Sequence, residues 1–260
     1  TLARQANEIF VNQDVPPFDL VLGYDYESVS TPIEETAQEL KNLLKMKGID
    51  ENSGKQVTIF AHSIGGLVAR WLIEKEGGNA FVNHLIMCGT PNEGTPFGSV
   101  TLATGAMSNL INIAIDILPE MVKGPLKSVQ STLQKGSLTT TLAQLAANSE
   151  FMHSLNTADD PGVPYTILAG DVANYTATSD DQRFKSLLLK IGASDSFRKL
   201  FGDAPHDVAV SVDSMRAILD SRSPAPSKTN LSCHHLNYLL GDKSKQDIGQ
   251  MNWIRDKSEV

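Results

Sequence analysis

The chain is predicted to fold as an α/β protein with a mostly parallel sheet and helices on both faces. Three observations support this fold class. Apolar strand-like runs alternate with amphipathic helical patterns, the runs are apolar at nearly every position, and one run ends in a serine turn that leads directly into a helix. Continuous apolar runs are typical of parallel strands buried on both faces. With 260 residues, 41% of them hydrophobic, the chain can form one large domain.

The first part of the chain shows the alternation of helices and strands most clearly, and its capping residues, prolines and glycines predict where the elements begin and end. A Ser/Thr cap followed by proline marks one helix start, and glycine marks its end. The predicted elements, in order, are a helix over 1–12, a strand from Phe18 to Tyr24, a helix from Ser30-Thr31-Pro32 to Gly48, a strand over 56–61, a helix over 64–76 and a strand from Val82 to Cys88.

The alternation stops between about 95 and 157, where helical pieces over 102–118 and 138–147 occur without a convincing strand. It returns with a strand over 166–170, a polar insert over 172–206, a helix around 211–220 and a strand over 229–233. We therefore predict a core made of 1–94 and 158–260, with 95–157 inserted as a helical cap. This cap either forms a lid over an acyl-chain site or simply completes the core, and both interpretations stay open.

The most informative motif is Ala61-His62-Ser63-Ile64-Gly65-Gly66, between the apolar run Val57–Phe60 and the helical segment from Leu67. A strand, a small-x-Ser-x-Gly turn and a helix form the nucleophile elbow described for α/β-hydrolases. Such a turn is tight, so the positions two before and two after the serine must be small. It exposes the serine hydroxyl at the carboxyl edge of the sheet. Ser63 is the candidate nucleophile.

A serine nucleophile needs a base to take its proton and an acid to orient that base, in the chain order Ser, Asp or Glu, then His. Only a histidine after the last strand fits the base. His234 and His235 both lie there, and we favour His235 because a predicted helix begins with it. Asp171, directly after a strand, is the acid that topology would choose, and Asp207 is the alternative.

Several motifs together resemble a lipase-type α/β-hydrolase, a group that includes bacterial triacylglycerol lipases and the PGAP1-like and lecithin:cholesterol acyltransferase-like esterases. The matching pieces are Tyr24-Asp25-Tyr26, the Ser63 turn, the run from Gly89 to Thr95, the run from Ser149 to Asn156, and His235-Leu236. Similar lipases carry their acid in an Asn-Asp-Gly-x-Val stretch. Asp207 to Val210 resembles it, with His206 for asparagine and Val208 for glycine, so the resemblance favours Asp207 over Asp171.

The oxyanion of the tetrahedral intermediate requires two N–H donors. The residue after the serine, Ile64, is expected to supply one. In similar lipases the other follows an earlier strand that carries His-Gly, and this chain contains no His-Gly. That strand would lie between the Phe18–Tyr24 strand and the elbow strand. We therefore expect the first strands of the sheet to be missing from this chain and to come from an upstream segment or a second chain.

Composition limits the classes of partner that this chain is expected to bind. The net charge of −8 and the absence of a basic block argue against nucleic-acid binding. No apolar run approaches the roughly 18 residues that predict a membrane-spanning helix. We expect no cofactor and no metal, because the mechanism requires none and no metal-ligand spacing occurs. Buried free thiols are expected for Cys88 and Cys233. An acyl ester or lipid is the expected substrate; the compartment is left open, with the cytoplasm slightly favoured.

Overall fold

The computed structural model describes residues 18–27, 30–98, 140–173, 201–235 and 238. Within these residues the chain forms five α-helices and four strands. The helices are α1 (Ile33–Met46), α2 (Ile64–Lys75), α3 (Thr140–Gln144), α4 (Glu150–Asn156) and α5 (Val212–Arg216), with short 3-10 turns at Gly78–Ala80 and Pro96–Gly98. The strands are β1 (Val57–His62), β2 (Val82–Cys88), β3 (Tyr165–Gly170) and β4 (Ser227–Leu231).

The four strands form one parallel sheet in the order β1-β2-β3-β4. Each strand pairs with the next one in the sequence; Ala61 lies opposite Met87, and Met87 lies opposite Ile167. Because all strands run in one direction, the residues that follow them gather at one edge of the sheet. The parallel sheet and its flanking helices confirm the predicted α/β-hydrolase fold class.

Alternate residues of β1 and β2 belong to two hydrophobic cores, one on each face of the sheet. Leu85 and Met87 of β2 pack in the larger core, together with side chains of α1, α2 and α4. Ile86 and Cys88 of the same strand pack in the smaller core, with side chains of α5. Burial on both faces explains why β2 and β3 are apolar along nearly their whole length.

The strand predicted from Phe18 to Tyr24 is wrong. This segment is irregular, and no described strand pairs with its backbone. Phe18 and Val21 pack against the smaller core, whereas Leu20 and Leu22 are 64% and 51% exposed. An apolar run becomes a strand only when a neighbouring strand satisfies its backbone N–H and C=O groups. The composition of this run is therefore typical of a strand, but no strand in the described part pairs with it.

The start of α1 also differs from the prediction. Pro32 occupies the N-cap position, and no side chain at that position caps the helix. The Thr31 hydroxyl instead bonds the Glu27 carboxylate at 3.1 Å. The free N–H of Ile33 donates to Gln144 Oε1 at 2.9 Å, across 111 residues of sequence. Gln144, far along the chain, thus accepts from the first turn of the helix, where a local serine or threonine side chain was expected to be the acceptor.

Most of the predicted cap lies outside the described residues, since 99–139 are not described, and the domain boundaries stay a prediction. Of the part that is described, α4 packs in the larger core, where Phe151 stacks on Trp71 of α2 with ring centroids 5.3 Å apart. Cys88 and Cys233 are both buried and form no disulfide, as expected. Across the described residues we find no helix with the length and apolar character needed to span a membrane.

Candidate active site

Ser63 lies between β1 and α2 in a backbone conformation that residues other than glycine rarely adopt, with φ 54° and ψ −129°. Its N–H donates to the carbonyl of Cys88 at 2.9 Å, which ties the turn to the end of β2. The helix begins at the next residue, Ile64, whose N–H belongs to the first turn and has no acceptor within the helix. The turn therefore presents the Ser63 hydroxyl and a backbone donor side by side.

Close packing behind the turn depends on Gly66. A Cβ atom at Gly66 would lie 2.0 Å from Thr90 Oγ1 and 2.8 Å from Thr90 Cβ. Thr90 belongs to the loop that directly follows β2, so a side chain at position 66 would push the first turn of α2 away from the sheet. The absence of a side chain at Gly66 thus fixes the depth at which the Ser63 turn lies on the sheet edge.

His235 connects Ser63 to Asp207. Its Nε2 lies 2.9 Å from Ser63 Oγ, and its Nδ1 lies 2.7 Å from Asp207 Oδ2. A carboxylate can only accept, so Nδ1 carries the proton and donates to it. Nε2 of the neutral ring is then an acceptor for the Ser63 hydroxyl. The three side chains form one continuous hydrogen-bonded chain that leads from a buried carboxylate to the serine hydroxyl.

Asp207 is fully buried and held in a tight turn. Its N–H donates to the Val210 carbonyl at 3.0 Å, and its Oδ1 accepts from the N–H groups of Ala209 and Val210 at 3.0 and 2.8 Å. Burial would raise the pKa of this carboxyl group. The His235 ring and the two N–H donors outweigh burial and hold the pKa below its usual value. Asp207 is therefore ionised at neutral pH.

The main chain of His235 makes two hydrogen bonds, one to Asp207 and one to His62. Its N–H donates to the Asp207 carbonyl at 2.8 Å, and its carbonyl accepts from His62 Nε2 at 2.7 Å. Burial, followed by the neighbouring His235, lowers the pKa of His62 to about 4. His62 is thus neutral and donates its Nε2 proton. This hydrogen bond gives His62 a structural role beside the Ser63 turn.

Tyr238 is a contact that the sequence did not reveal. Its hydroxyl lies 2.9 Å from Asp207 Oδ2 and accepts the N–H of Gly170 at 2.5 Å. Two glycines make room around it. A Cβ at Gly89 would lie 2.7 Å from the Tyr238 ring, and a Cβ at Gly170 would lie 2.5 Å from its hydroxyl. Glycines directly after β2 and at the end of β3 were the available signal, since they leave space where a large side chain must enter.

The alternative residues lie nearby but are not part of this chain of hydrogen bonds. The Asp171 carboxylate accepts from the N–H of Ala173 at 2.9 Å, while its own N–H bonds the Leu231 carbonyl at 2.8 Å. Asp171 therefore stabilises the turn that follows β3. The His234 side chain is buried, and the ring that reaches Ser63 belongs to His235. Where the structure describes the chain, His, Cys, Asp and Glu form no group of three that could bind a metal ion.

Solved structures of lipases and esterases share the fold. EstA from Clostridium botulinum aligns with a TM-score of 0.53 and 14% identity, over 82% of this chain and 66% of that one. Lipase BlEst2 from Bacillus licheniformis in its propeptide form gives 0.52 and 17%, over 89% and 41%. Phospholipase PlaB from Legionella pneumophila gives 0.51 and 16%, over 82% and 41%. At such identities the likeness establishes the fold and leaves the activity open.

Sequence comparison adds the family. No curated protein matches the chain. A family model does match, over residues 2–252, and its description is a domain of unknown function, DUF7379. The match spans the Ser63 turn, Asp207, His235 and Tyr238. The chain therefore belongs to the DUF7379 family and has the α/β-hydrolase fold.

Proposed function

We propose that the protein is a serine ester hydrolase that acts on acyl, lipid-like esters through an acyl-enzyme. One observation carries this proposal: the unbroken hydrogen-bonded chain from Ser63 through His235 to the buried Asp207. Its distances are those at which a base can take a proton from a serine hydroxyl while a carboxylate orients that base. The fold supports the same chemistry, because the serine lies on a strand-to-helix turn at the carboxyl edge of a parallel sheet.

In the proposed mechanism, Ser63 Oγ attacks the ester carbonyl carbon while His235 Nε2 takes the hydroxyl proton. The Ile64 N–H donates to the oxyanion that forms. Asp207 stabilises the imidazolium, which then protonates the departing alcohol and leaves the acyl group on Ser63. Water attacks the acyl-enzyme with His235 again acting as the base, and the acid product leaves. The second oxyanion donor stays a prediction outside the described residues.

The substrate class rests on weaker support than the chemistry. The solved structures that share the fold include one described as a lipase and one described as a phospholipase. The helical faces that the sequence predicts between 95 and 157 are apolar and would suit an acyl chain, and residues 99–139 lie outside the described part. Hydrolysis and transfer of the acyl group to another alcohol use the same first half-reaction. An amide substrate would require the same residues.

Labelling with a fluorophosphonate probe tests the nucleophile. We expect the wild-type protein to be labelled and Ser63→Ala to remain unlabelled. Asp207→Asn is expected to lower kcat on nitrophenyl esters by about 10³ to 10⁴. Asp171→Asn is the matched control, because it removes a carboxylate from the same sheet edge, and it should change kcat only a few-fold.

Other outcomes would redirect the proposal. No Ser63-dependent labelling would indicate a catalytically silent module that binds a lipid or protein partner. Loss of activity in Asp171→Asn alone would assign the acid to Asp171. A panel of esters of increasing acyl length, run with and without an acceptor alcohol, separates hydrolysis from acyl transfer and includes an amide to detect amidase activity.

A further inference from the structure

We propose that Tyr238 is a positioning residue that fixes the Asp207 carboxylate and reduces the negative charge that this carboxylate presents to His235. The proposal rests on the function proposed above. Tyr238 follows His235 by three positions, is 3% exposed, and its hydroxyl lies 2.9 Å from the same Asp207 oxygen that accepts from His235. The hydroxyl does not reach Ser63 in this arrangement, so its effect on the reaction passes through Asp207.

The direction of each hydrogen bond follows from the number of protons available. The Gly170 N–H donates to the Tyr238 oxygen, which leaves the single hydroxyl proton for one acceptor. Two acceptors are within reach, Asp207 Oδ2 at 2.9 Å and Met215 Sδ at 3.2 Å. A carboxylate is a far stronger acceptor than a thioether, so the proton points to Asp207. Burial, then the Asp207 charge, raises the pKa of Tyr238 well above its usual value, so the donor stays protonated.

The Asp207 carboxylate is therefore held by four donors, two on each oxygen. Oδ1 accepts from the backbone N–H groups of Ala209 and Val210, which belong to the turn of Asp207 itself. Oδ2 accepts from His235 and Tyr238, which come from the segment after β4. The Tyr238 hydroxyl is thus the contact that fixes Oδ2 independently of the His235 ring. It also ties that oxygen to the end of β3 through Gly170.

Titratable groups surround this site on several elements, and their states set the background for any pH effect. They are His62 at the end of β1, Asp171 after β3, His206 before Asp207, and Cys233 after β4. Burial and then His235 lower the pKa of His62 to about 4, and burial lowers that of His206. Both rings are neutral near pH 7. The negative charge next to His235 is then that of Asp207, and Tyr238 modulates it.

The effect of removing the Tyr238 hydroxyl follows from the negative charge of Asp207. Protonated His235 is stabilised by the Asp207 carboxylate, and a hydrogen bond from Tyr238 withdraws part of the charge from Oδ2. Removing the hydroxyl strengthens the attraction between the carboxylate and the imidazolium. The Asp207 carboxylate, which has lost one donor, also orients the His235 ring less strictly, so the plateau of kcat/KM falls.

The test compares Tyr238→Phe with Tyr165→Phe on a soluble ester. Tyr165 is the matched control, because its hydroxyl donates to the buried Glu74 carboxylate, also at 2.9 Å, at the opposite end of β3. For Tyr238→Phe we expect the plateau of kcat/KM to fall on the order of tenfold, through kcat more than KM. Tyr165→Phe should leave kcat and KM close to those of the wild type.

An unchanged kcat in Tyr238→Phe, or the same loss of kcat in both variants, overturns the proposal. These results differ from failure of the proposed function, in which the wild-type protein itself neither hydrolyses esters nor reacts at Ser63. NMR of the wild-type protein gives a second test that does not depend on folding of a variant. We expect a slowly exchanging Tyr238 hydroxyl proton with a cross-peak to the His235 Nδ1 proton. Its absence, with the Nδ1 proton observed, also overturns the proposal.

Discussion

At the scale of single residues, Ser63 and Val208 are the two described non-glycine residues with positive φ, at 54° and 89°. Both belong to the candidate site: Ser63 is the candidate nucleophile, and Val208 follows Asp207. Such conformations cost roughly 1–3 kcal/mol and persist only where the surrounding structure enforces them. The Asp207–Val210 turn enforces the second one, since it is closed by backbone and carboxylate hydrogen bonds.

Val208 also explains a departure noted in the sequence, where similar lipases have glycine. The backbone conformation is the one that glycine adopts without strain, so the turn has kept its shape although the residue differs. A β-branched residue at φ 89° is strained, while its buried side chain packs favourably.

This balance predicts an unusual order of stability at position 208. Val208→Gly relieves the strain and Val208→Ala does not, although both lose the valine side chain. We expect Val208→Gly to be more stable than Val208→Ala by about 1 kcal/mol. Denaturant unfolding midpoints measure the difference.

Val210 provides the control. It is equally buried, has no positive φ, and lies in the same turn. There the usual order should hold, with alanine more stable than glycine by about 0.5–1 kcal/mol. The strain argument fails if positions 208 and 210 give the same order.

At the scale of secondary-structure elements, a buried ionic cluster fixes α2, the helix that follows the serine. Glu74 accepts from Arg70 of the same helix at 2.9 Å and from Arg222 at 2.9 Å. Tyr165 of β3 donates to the same carboxylate. Burial would raise the pKa of Glu74, but the two guanidinium groups hold it below its usual value. The cluster joins α2, β3 and the segment before β4.

Removing the charge of Glu74 should therefore be costly. Glu74→Gln leaves two largely buried guanidinium groups without their counterion, and we expect a loss of about 3 kcal/mol in the free energy of unfolding. Urea unfolding measures it. Asp220→Asn is the control: it breaks the ion pair with Lys228, in which the aspartate side chain is 82% exposed, and should change stability little. Similar losses in both variants would mean that burial does not set the cost.

Elements with local causes were predictable from the sequence, and elements with distant causes were not. β1, β2 and α2 follow from apolar runs and a tight turn. The Gln144 contact at the start of α1, and the burial of Glu74 beside Arg222, depend on residues far along the chain. Along α2 itself, Arg70 and Glu74 read as an ordinary exposed i, i+4 pair. The irregular Phe18–Tyr24 segment shows the same limit, since strand formation needs a partner.

At the scale of the whole molecule, several buried groups make the fold sensitive to acid. Burial lowers the pKa of His62, His84 and His206, so these rings are held neutral in the folded state. Their protons are bound more tightly in the unfolded chain. Stability that is present above the unfolded value near 6.5 is therefore lost as the pH falls. Asp207 and Glu74, whose pKa values are lowered, act in the same direction at lower pH.

His62 should dominate this loss between pH 7 and pH 5, because its pKa falls to about 4. Linkage then gives a decrease of about 2 kcal/mol in the free energy of unfolding over that interval. The measurement is denaturant unfolding at both pH values. In His62→Asn, which keeps a donor for the His235 carbonyl, the decrease should be correspondingly smaller. An equal decrease in both proteins would place the titrating group elsewhere.

Two residues of the candidate site were predictable from strand ends, because Ser63 directly follows β1 and His235 lies shortly after β4, whereas Asp207 precedes α5 and follows no described strand. Once the order of the strands was expected, chain order selected Ser63 and His235, and motif resemblance selected Asp207 over Asp171. Their hydrogen bonds agree with that selection, while their catalytic roles await the experiments above. Tyr238 was not predictable, since its contact depends on the space left by Gly89 and Gly170 on two other strand ends.

The two main-chain bonds of His235 have a further consequence. They join position 235 to the His62 ring and to the Asp207 carbonyl, and neither bond uses the His235 imidazole. The place of residue 235 in the site is thus held through its own backbone and does not depend on its side chain. A substitution at position 235 would therefore remove the ring that bonds Ser63 and Asp207 while leaving both main-chain groups their partners.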